Sequence, residues 1–131
     1  MEKIRVLIID EHGAVRRALA ARLDSYSQVE VVATARAYSV GLDKALTMQP
    51  NVILLELKGL GGSRPQQVGE MIAALADHPS GIIVLTSYAD DDEREAAFKA
   101  GASRYLVKHI DSGLLVTEIQ AVASELANQV S

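Results

Sequence analysis

The chain has 131 residues, with 13 Lys and Arg against 17 Asp and Glu for a formal charge of −4, no Cys and one Phe. One domain is the natural count at this length, and 49% hydrophobic residues are enough to fill its core. Basic residues scattered from Lys3 to Lys108 make no stripe that would track a phosphate backbone, so direct nucleic-acid contact by this segment is not expected, and the absence of Cys removes disulfides, thiolate zinc sites and thiol catalysis.

The first apolar run, Ile4 to Ile9, is rich in Ile and Val and ends at Asp10. Val15, Leu19 and Leu23, with Ala18 between, then make a stripe at helical spacing that leaves Arg16, Arg17 and Arg22 largely off it. A second run, Val29 to Ala33, precedes Val40 to Met48, where Leu42, Ala45 and Leu46 recur at helical spacing and Pro50 ends the helix. The run Val52 to Leu55 leads into Lys58-Gly59-Leu60-Gly61-Gly62-Ser63-Arg64, long and glycine-rich for a strand-to-helix turn, and read as a flexible loop rather than a phosphate cradle. Pro65 opens a helix through Val68, Ile72 and Leu75 that stops before His78-Pro79. After the run Gly81 to Leu85, Asp90-Asp91-Asp92-Glu93 places carboxylates at the positive end of a helix that runs through Lys99 and stops at Gly101. Tyr105 to Val107 is the last short run, Ser112 is placed to cap a final helix through Leu115, Ile119, Val122 and Leu126, and the tail from Asn128 is expected to fray.

Strand and helix alternate five times at a spacing of about 25 residues, and runs apolar on both faces read as buried parallel strands. The expected fold is a three-layer α/β domain, a doubly wound (βα)5 parallel sheet in the order 2-1-3-4-5, occupying residues 1–131 with a core over about residues 3 to 127. No apolar run approaches the roughly 18 residues of a membrane span, and Met1-Glu2-Lys3 leads straight into a strand with no secretory signal, which predicts a cytoplasmic, non-membrane protein.

In an open α/β sheet, ligands bind outside the carboxyl ends of the strands, beside the switch in strand order. Asp10-Glu11 follows the first strand, Glu56 the third, Thr86-Ser87 ends the fourth, and Lys108 follows the fifth. With the first and third strands adjacent, Asp10, Glu11 and Glu56 should converge on one edge. Three carboxylates there suit a hard cation such as Mg²⁺, and a lysine and hydroxyl opposite suit a phosphate. Singly, each residue has an ordinary reading: a capping acidic pair, a strand-ending threonine, a solvated lysine, a rim glutamate. Their joint placement is what marks a site. His12, His78 and His109 have no metal-ligand spacing and read as surface or capping residues, and with no G-x-S-x-G elbow and no Walker A sequence the chain is not expected to be an enzyme.

Ile8-Ile9-Asp10-Glu11-His12, Pro50-Asn51-Val52-Ile53-Leu54-Leu55-Glu56-Leu57, Val84-Leu85-Thr86-Ser87-Tyr88 and Gly101-Ala102-Ser103-Arg104-Tyr105-Leu106-Val107-Lys108 resemble, in order and spacing, the CheY-like receiver domain of bacterial response regulators. The Ala100-Gly101-Ala102 stretch and the lack of a proline after Lys108 are most similar to receivers of LuxR/NarL-type transcription factors, which carry a C-terminal DNA-binding domain. The resemblance implies a part in two-component phosphorelay signalling, with a sensor histidine kinase or other signalling protein as partner. It implies that Asp10, Glu11, Glu56 and the carbonyl of Lys58 hold Mg²⁺, that Thr86 and Lys108 contact a phosphoryl group, and that Tyr105 is the aromatic that moves on activation. It also implies dimerisation through a face of the fourth helix, fifth strand and fifth helix, with Ala97, Phe98, Tyr105, Ile110, Leu114 and Leu115 as candidates.

The departure lies at the centre, where the family's phosphoacceptor is an aspartate and this chain has Glu56, with the usual Met-Pro pair replaced by Gly59-Leu60. One added methylene moves the carboxylate by on the order of 1 Å, enough to cost roughly a hundredfold in rate. A carboxylate has one charge and two acceptor atoms against nearly two charges and three oxygens for a phosphoryl group, so its imitation of one is partial. Glu56 is therefore expected to pair with Lys108, Mg²⁺ to bind weakly, and phosphotransfer to be slow or absent. The leading reading is a phosphorylation-independent interaction module; the alternatives are a receiver that accepts phosphate on Glu56 and, remotely, a flavodoxin-like electron carrier, which Asp10-Glu11 and the scarcity of aromatics disfavour.

Overall fold

A computed structural model describes residues 2–58, 65–77 and 79–130, with 129 and 130 described through their backbone only. The elements run β1 (Ile4–Ile9), α1 (Gly13–Asp24), β2 (Val29–Ala35), α2 (Tyr38–Met48), β3 (Val52–Leu55), α3 (Pro65–Ala76), β4 (Gly81–Thr86), α4 (Asp91–Ala100), β5 (Arg104–Val107) and α5 (Ser112–Val130). All strand pairs are parallel, in the order β2-β1-β3-β4-β5, as the alternating pattern predicts. The Gly59 to Arg64 loop and His78 lie outside the described residues.

The sheet is apolar on both faces because each face has its own layer of helices. Leu7, Ile9, Ile53, Leu55 and Val84 pack against Ala45 of α2, Val68, Ile72 and Leu75 of α3, and Ala97 of α4. Val6, Ile8, Val52, Leu54, Ile83 and Leu85 point the other way, onto Leu19 and Leu23 of α1 and Leu115, Val116, Ile119 and Val122 of α5. Alternation of side chains along each strand produces this division. At the start of β4 the approach is so close that a Cβ on Gly81 would fall 2.3 Å from Val122 Cγ1.

Helix ends follow local chemistry. Gly101 ends α4 at φ 119°, where its N–H returns to Ala97 and Phe98 carbonyls, and Gln49 ends α2 in the left-handed region just before Pro50. Several expectations need correction. Asp111, not Ser112, caps α5: its Oδ2 accepts the Leu114 N–H at 3.2 Å and its carbonyl accepts Leu115 N–H, leaving Ser112 as the first helical residue. The helix continues to Val130 where a frayed tail is expected. Val15 (40% exposed) and Leu46 (58%) fall outside the buried stripes, because α1 and α2 rest on the sheet through narrower faces, centred on Leu19 and Leu23 and on Gly41 and Ala45. Arg16 is only half-exposed and its guanidinium donates to the Asp10 carbonyl at 2.7 Å. Among the described residues no helix is long and apolar enough to cross a membrane.

Candidate functional site

The backbone ladder runs one residue past three strand ends, and this places the polar residues. Asp10 N–H donates to Ala35 carbonyl at 2.9 Å, Glu56 N–H to Ile9 carbonyl at 3.0 Å, and Lys108 N–H to Thr86 carbonyl at 2.8 Å. Each chemically active side chain is thus attached to a rigid, hydrogen-bonded strand terminus. Asp10, Glu56 and Thr86 are buried.

The Asp10 and Glu56 side chains meet on one ammonium. Lys108 Nζ lies 2.6 Å from Asp10 Oδ2 and 3.2 Å from Glu56 Oε1, so the ion pair expected between Glu56 and Lys108 is present. The Ser87 N–H donates to the same Glu56 oxygen at 3.4 Å, and among the described residues the buried Glu56 Oε2 has no hydrogen-bond partner. Two carboxylates share one cation, a net negative charge in a space from which water is largely excluded, and such a group is stable only while its pairing holds. Burial pushes the Asp10 carboxyl up, but the Lys108 hydrogen bond and those from the His12 backbone and ring outweigh it, holding the group below the ordinary value of 3.8. The His12 N–H and ring Nδ1 are each 2.9 Å from Asp10 Oδ1.

Glu11 does not join Asp10 and Glu56 on the edge. Its side chain is 44% exposed with Oε1 3.9 Å from His12 Nε2. The reason is directional: Asp10 continues the strand with its side chain inward, and the chain bends away at the next residue. Hard oxygens remain at the site, Glu56 Oε2 above all. Among the described residues, however, no three His, Cys, Asp or Glu side chains form a ligand group for a metal.

A second cluster adjoins the first, and sequence reasoning did not anticipate it. Lys58 was singled out for its carbonyl, yet its ammonium hydrogen-bonds Thr86 Oγ1 and the Tyr88 carbonyl at 3.0 Å each and lies 3.6 Å from Glu93 Oε1. Thr86 in turn donates to the Tyr88 carbonyl at 3.1 Å. Glu93, read as one of several helix-opening charges, is buried and accepts the Tyr105 hydroxyl at 2.6 Å. The acidic run gave one usable signal: D-x-x-E marks a helix cap whose fourth residue turns inward.

On the expected dimer face Ala97 and Leu115 are buried in the core, while Phe98 and Leu114 are 40% and 59% exposed. Arg104 of β5 is held within the chain by Glu118 at 2.8 Å and by Glu125 of α5. Beside Lys108, a cleft of about 400 Å³ is lined by Val15, Ala18 and Arg22 of α1 with Ser87 and His109. His12 and His109 are exposed, and His12, at the N-cap of α1, makes no side-chain cap.

The response regulator receiver domain family matches residues 6–120. The chain belongs to this family. The transcriptional regulatory protein LiaR of Bacillus subtilis (strain 168) is 37% identical over 120 residues, which are 92% of this chain and 56% of LiaR. The receiver domain of NarL from Mycobacterium tuberculosis superposes with a TM-score of 0.82 at 22% identity, covering 95% of this chain and 98% of that one. A Burkholderia pseudomallei response regulator with a phosphorylated aspartic acid, a calcium ion and citrate has a TM-score of 0.77 at 27% identity, covering 99% and 74%. Curated relatives include transcriptional regulators and protein-glutamate methylesterases, and the chain spans about half the length of the regulators it matches. The chain is a CheY-like receiver of two-component signalling, with LuxR/NarL-type regulators among its relatives.

Proposed function

We propose that this receiver works as a phosphorylation-independent interaction module in which the Glu56 carboxylate, held on Lys108, partly stands in for a phosphoryl group. The observation that carries this reading is the 3.2 Å contact between Lys108 Nζ and Glu56 Oε1, supported by the Ser87 N–H on the same oxygen. The lysine that pairs with the acceptor in this family here holds a carboxylate one methylene longer, whose oxygens are displaced by on the order of 1 Å from where an aspartate would attack. Thr86 supports the same reading, since its hydroxyl is engaged by Lys58 and the Tyr88 carbonyl.

A divalent cation fits the donor chemistry through Asp10 and the unpartnered Glu56 Oε2, with Glu11 and the Lys58 carbonyl as further oxygens. When bound, Mg²⁺ would supply positive charge against the carboxylate excess. Because Lys108 already holds one oxygen of Asp10 and one of Glu56, and Glu11 faces His12, binding should be weak. The chain then corresponds to the receiver half of a cytoplasmic, non-enzymatic transcription regulator. It meets a sensor kinase or another signalling protein, carries its DNA-binding domain elsewhere, and pairs with a second copy through α4, β5 and α5.

Intact mass after incubation with Mg²⁺ and acetyl phosphate, on wild type and Glu56→Asp side by side, tests the reading. A phosphoryl adduct on the aspartate variant alone, or on neither protein, is the expected result. An adduct on wild type that maps to Glu56 overturns it. That second reading, a slow relay receiver, is favoured by one observation: among the described residues Oε2 of Glu56 has no hydrogen-bond partner.

A further inference from the structure

The first turn of α4 contains a capping box with a hydroxyl inserted into it. Asp90 Oδ1 accepts the Glu93 N–H at 2.8 Å, the ordinary half of the motif. In the other half, the third helical residue's carboxylate accepts the N–H of the cap residue directly. Here the Tyr105 hydroxyl stands between the two: it accepts the Asp90 N–H at 3.2 Å and donates to Glu93 Oε1 at 2.6 Å. A side chain of β5 is thereby built into the cap of α4.

Glu93 is only 8% exposed, and a buried carboxylate needs a cation. The nearby Arg94 lies over the Phe98 ring, at 5.2 Å from its centroid. Lys58 faces Glu93 instead, 3.6 Å from the oxygen that accepts the Tyr105 hydroxyl's hydrogen bond. The same ammonium hydrogen-bonds Thr86 and the Tyr88 carbonyl, so its position is set from β4. Burial first, then the Glu93 hydrogen bond, raise the Tyr105 hydroxyl well above its ordinary value, consistent with a firmly held proton.

The same groups admit two arrangements. With the hydroxyl inside, it relays the cap; with it outside, Glu93 closes directly on the Asp90 N–H and the tyrosine turns to solvent. The choice depends on whether Glu93 is drawn back toward the sheet edge. We propose that Lys58 is a positioning residue that holds the Tyr105 hydroxyl inside the α4 cap by pinning Glu93, setting the edge between α4 and β5 with nothing bound at Glu56. The device stands whichever way the mass experiment on Glu56 turns out, because it involves no phosphoryl group.

The test is NMR of the full chain, following the Asp90 amide and the ¹³C-labelled Tyr105 ring, with Tyr105→Phe marking the signals of an empty cap. Lys58→Met should move the Tyr105 ring signals and shift the Asp90 amide away from wild type. Adding Glu93→Gln should return both signals toward wild type, since the amide oxygen still accepts the hydroxyl and needs no ammonium. Lys58→Arg should stay near wild type. Glu93→Ala, which leaves Lys58 in place, should release Tyr105 and keeps the test available if Lys58→Met does not fold. Unchanged signals in Lys58→Met or in Glu93→Ala overturn the proposal, as does a Lys58→Met/Glu93→Gln double variant no closer to wild type than Lys58→Met.

Discussion

Lys108 and Lys58 both face buried carboxylates at the carboxyl edge of the sheet, and they meet them in different company. Lys108 is 14% exposed and serves two carboxylates at 2.6 and 3.2 Å, one of which keeps an oxygen with no partner among the described residues. Lys58 is 38% exposed and serves one carboxylate at 3.6 Å, which a tyrosine hydroxyl also satisfies at 2.6 Å. The first cluster has an excess of charge and a deficit of donors, whereas the second has enough donors and water at its cation. Where water is excluded, pairing decides stability; where water reaches the ammonium, hydrogen bonds decide geometry.

Removing each lysine is the most direct way to break that contrast. Lys108→Met takes the shared ammonium from two buried carboxylates and should cost about 3 to 5 kcal/mol in urea unfolding. Lys58→Met should cost only about 1 to 2 kcal/mol, since the ammonium is partly exposed and a released Glu93 accepts the Asp90 N–H in place of the tyrosine hydroxyl. Equal losses would show that the two clusters are energetically alike. Glu56→Gln sharpens the comparison from the other side: it removes the excess charge and should stabilise the fold at neutral pH by about 1 kcal/mol. A net loss there would mean that Lys108 depends on both carboxylates.

Acid provides a subtler probe of the Lys108 cluster. Because Asp10 is held below 3.8 in the folded chain, its contribution is complete above that value and is lost as pH falls through the lower folded one. Unfolding followed from about pH 5 down to 2 should show an acid limb that Asp10→Asn flattens, and an unchanged limb would remove Asp10 as its source. The smallest effect is expected from Arg104→Ala, where partly exposed pairs with Glu118 and Glu125 are broken and high salt should erase most of the difference.

Residues that belong to strands, or follow them directly, were readable in advance. Asp10, Glu56 and Lys108 come together as expected because the parallel ladder carries through them, and a strand terminus projects its side chain in a direction that period-two alternation already implies. Glu11, one residue further, could not be read in this way, since the chain has left the ladder and turned. The contact between Lys58 and Glu93 was hidden for a related reason. Each follows a strand or opens a helix like many surface charges, and only contact across 35 residues of sequence gives them a shared role. Val15 and Leu46 carry the same lesson for the fold: periodicity places a residue on a stripe, but the seating of the helix on the sheet decides how wide the buried stripe is.

The amino-acid sequence by itself determined the alternation of elements, the parallel sheet and the set of residues at its carboxyl edge, because these follow from short-range patterning and from the geometry that parallel strands impose. It also determined that the acceptor position holds a glutamate. Only the tertiary structure decided that Lys108 would pair with Asp10 as well as Glu56, that Lys58 would reach Thr86 and Glu93, and that Tyr105 would complete the cap of α4. Those outcomes depend on side-chain directions in turns and on which groups are shut off from water, and both are set by how the helices seat on the finished sheet.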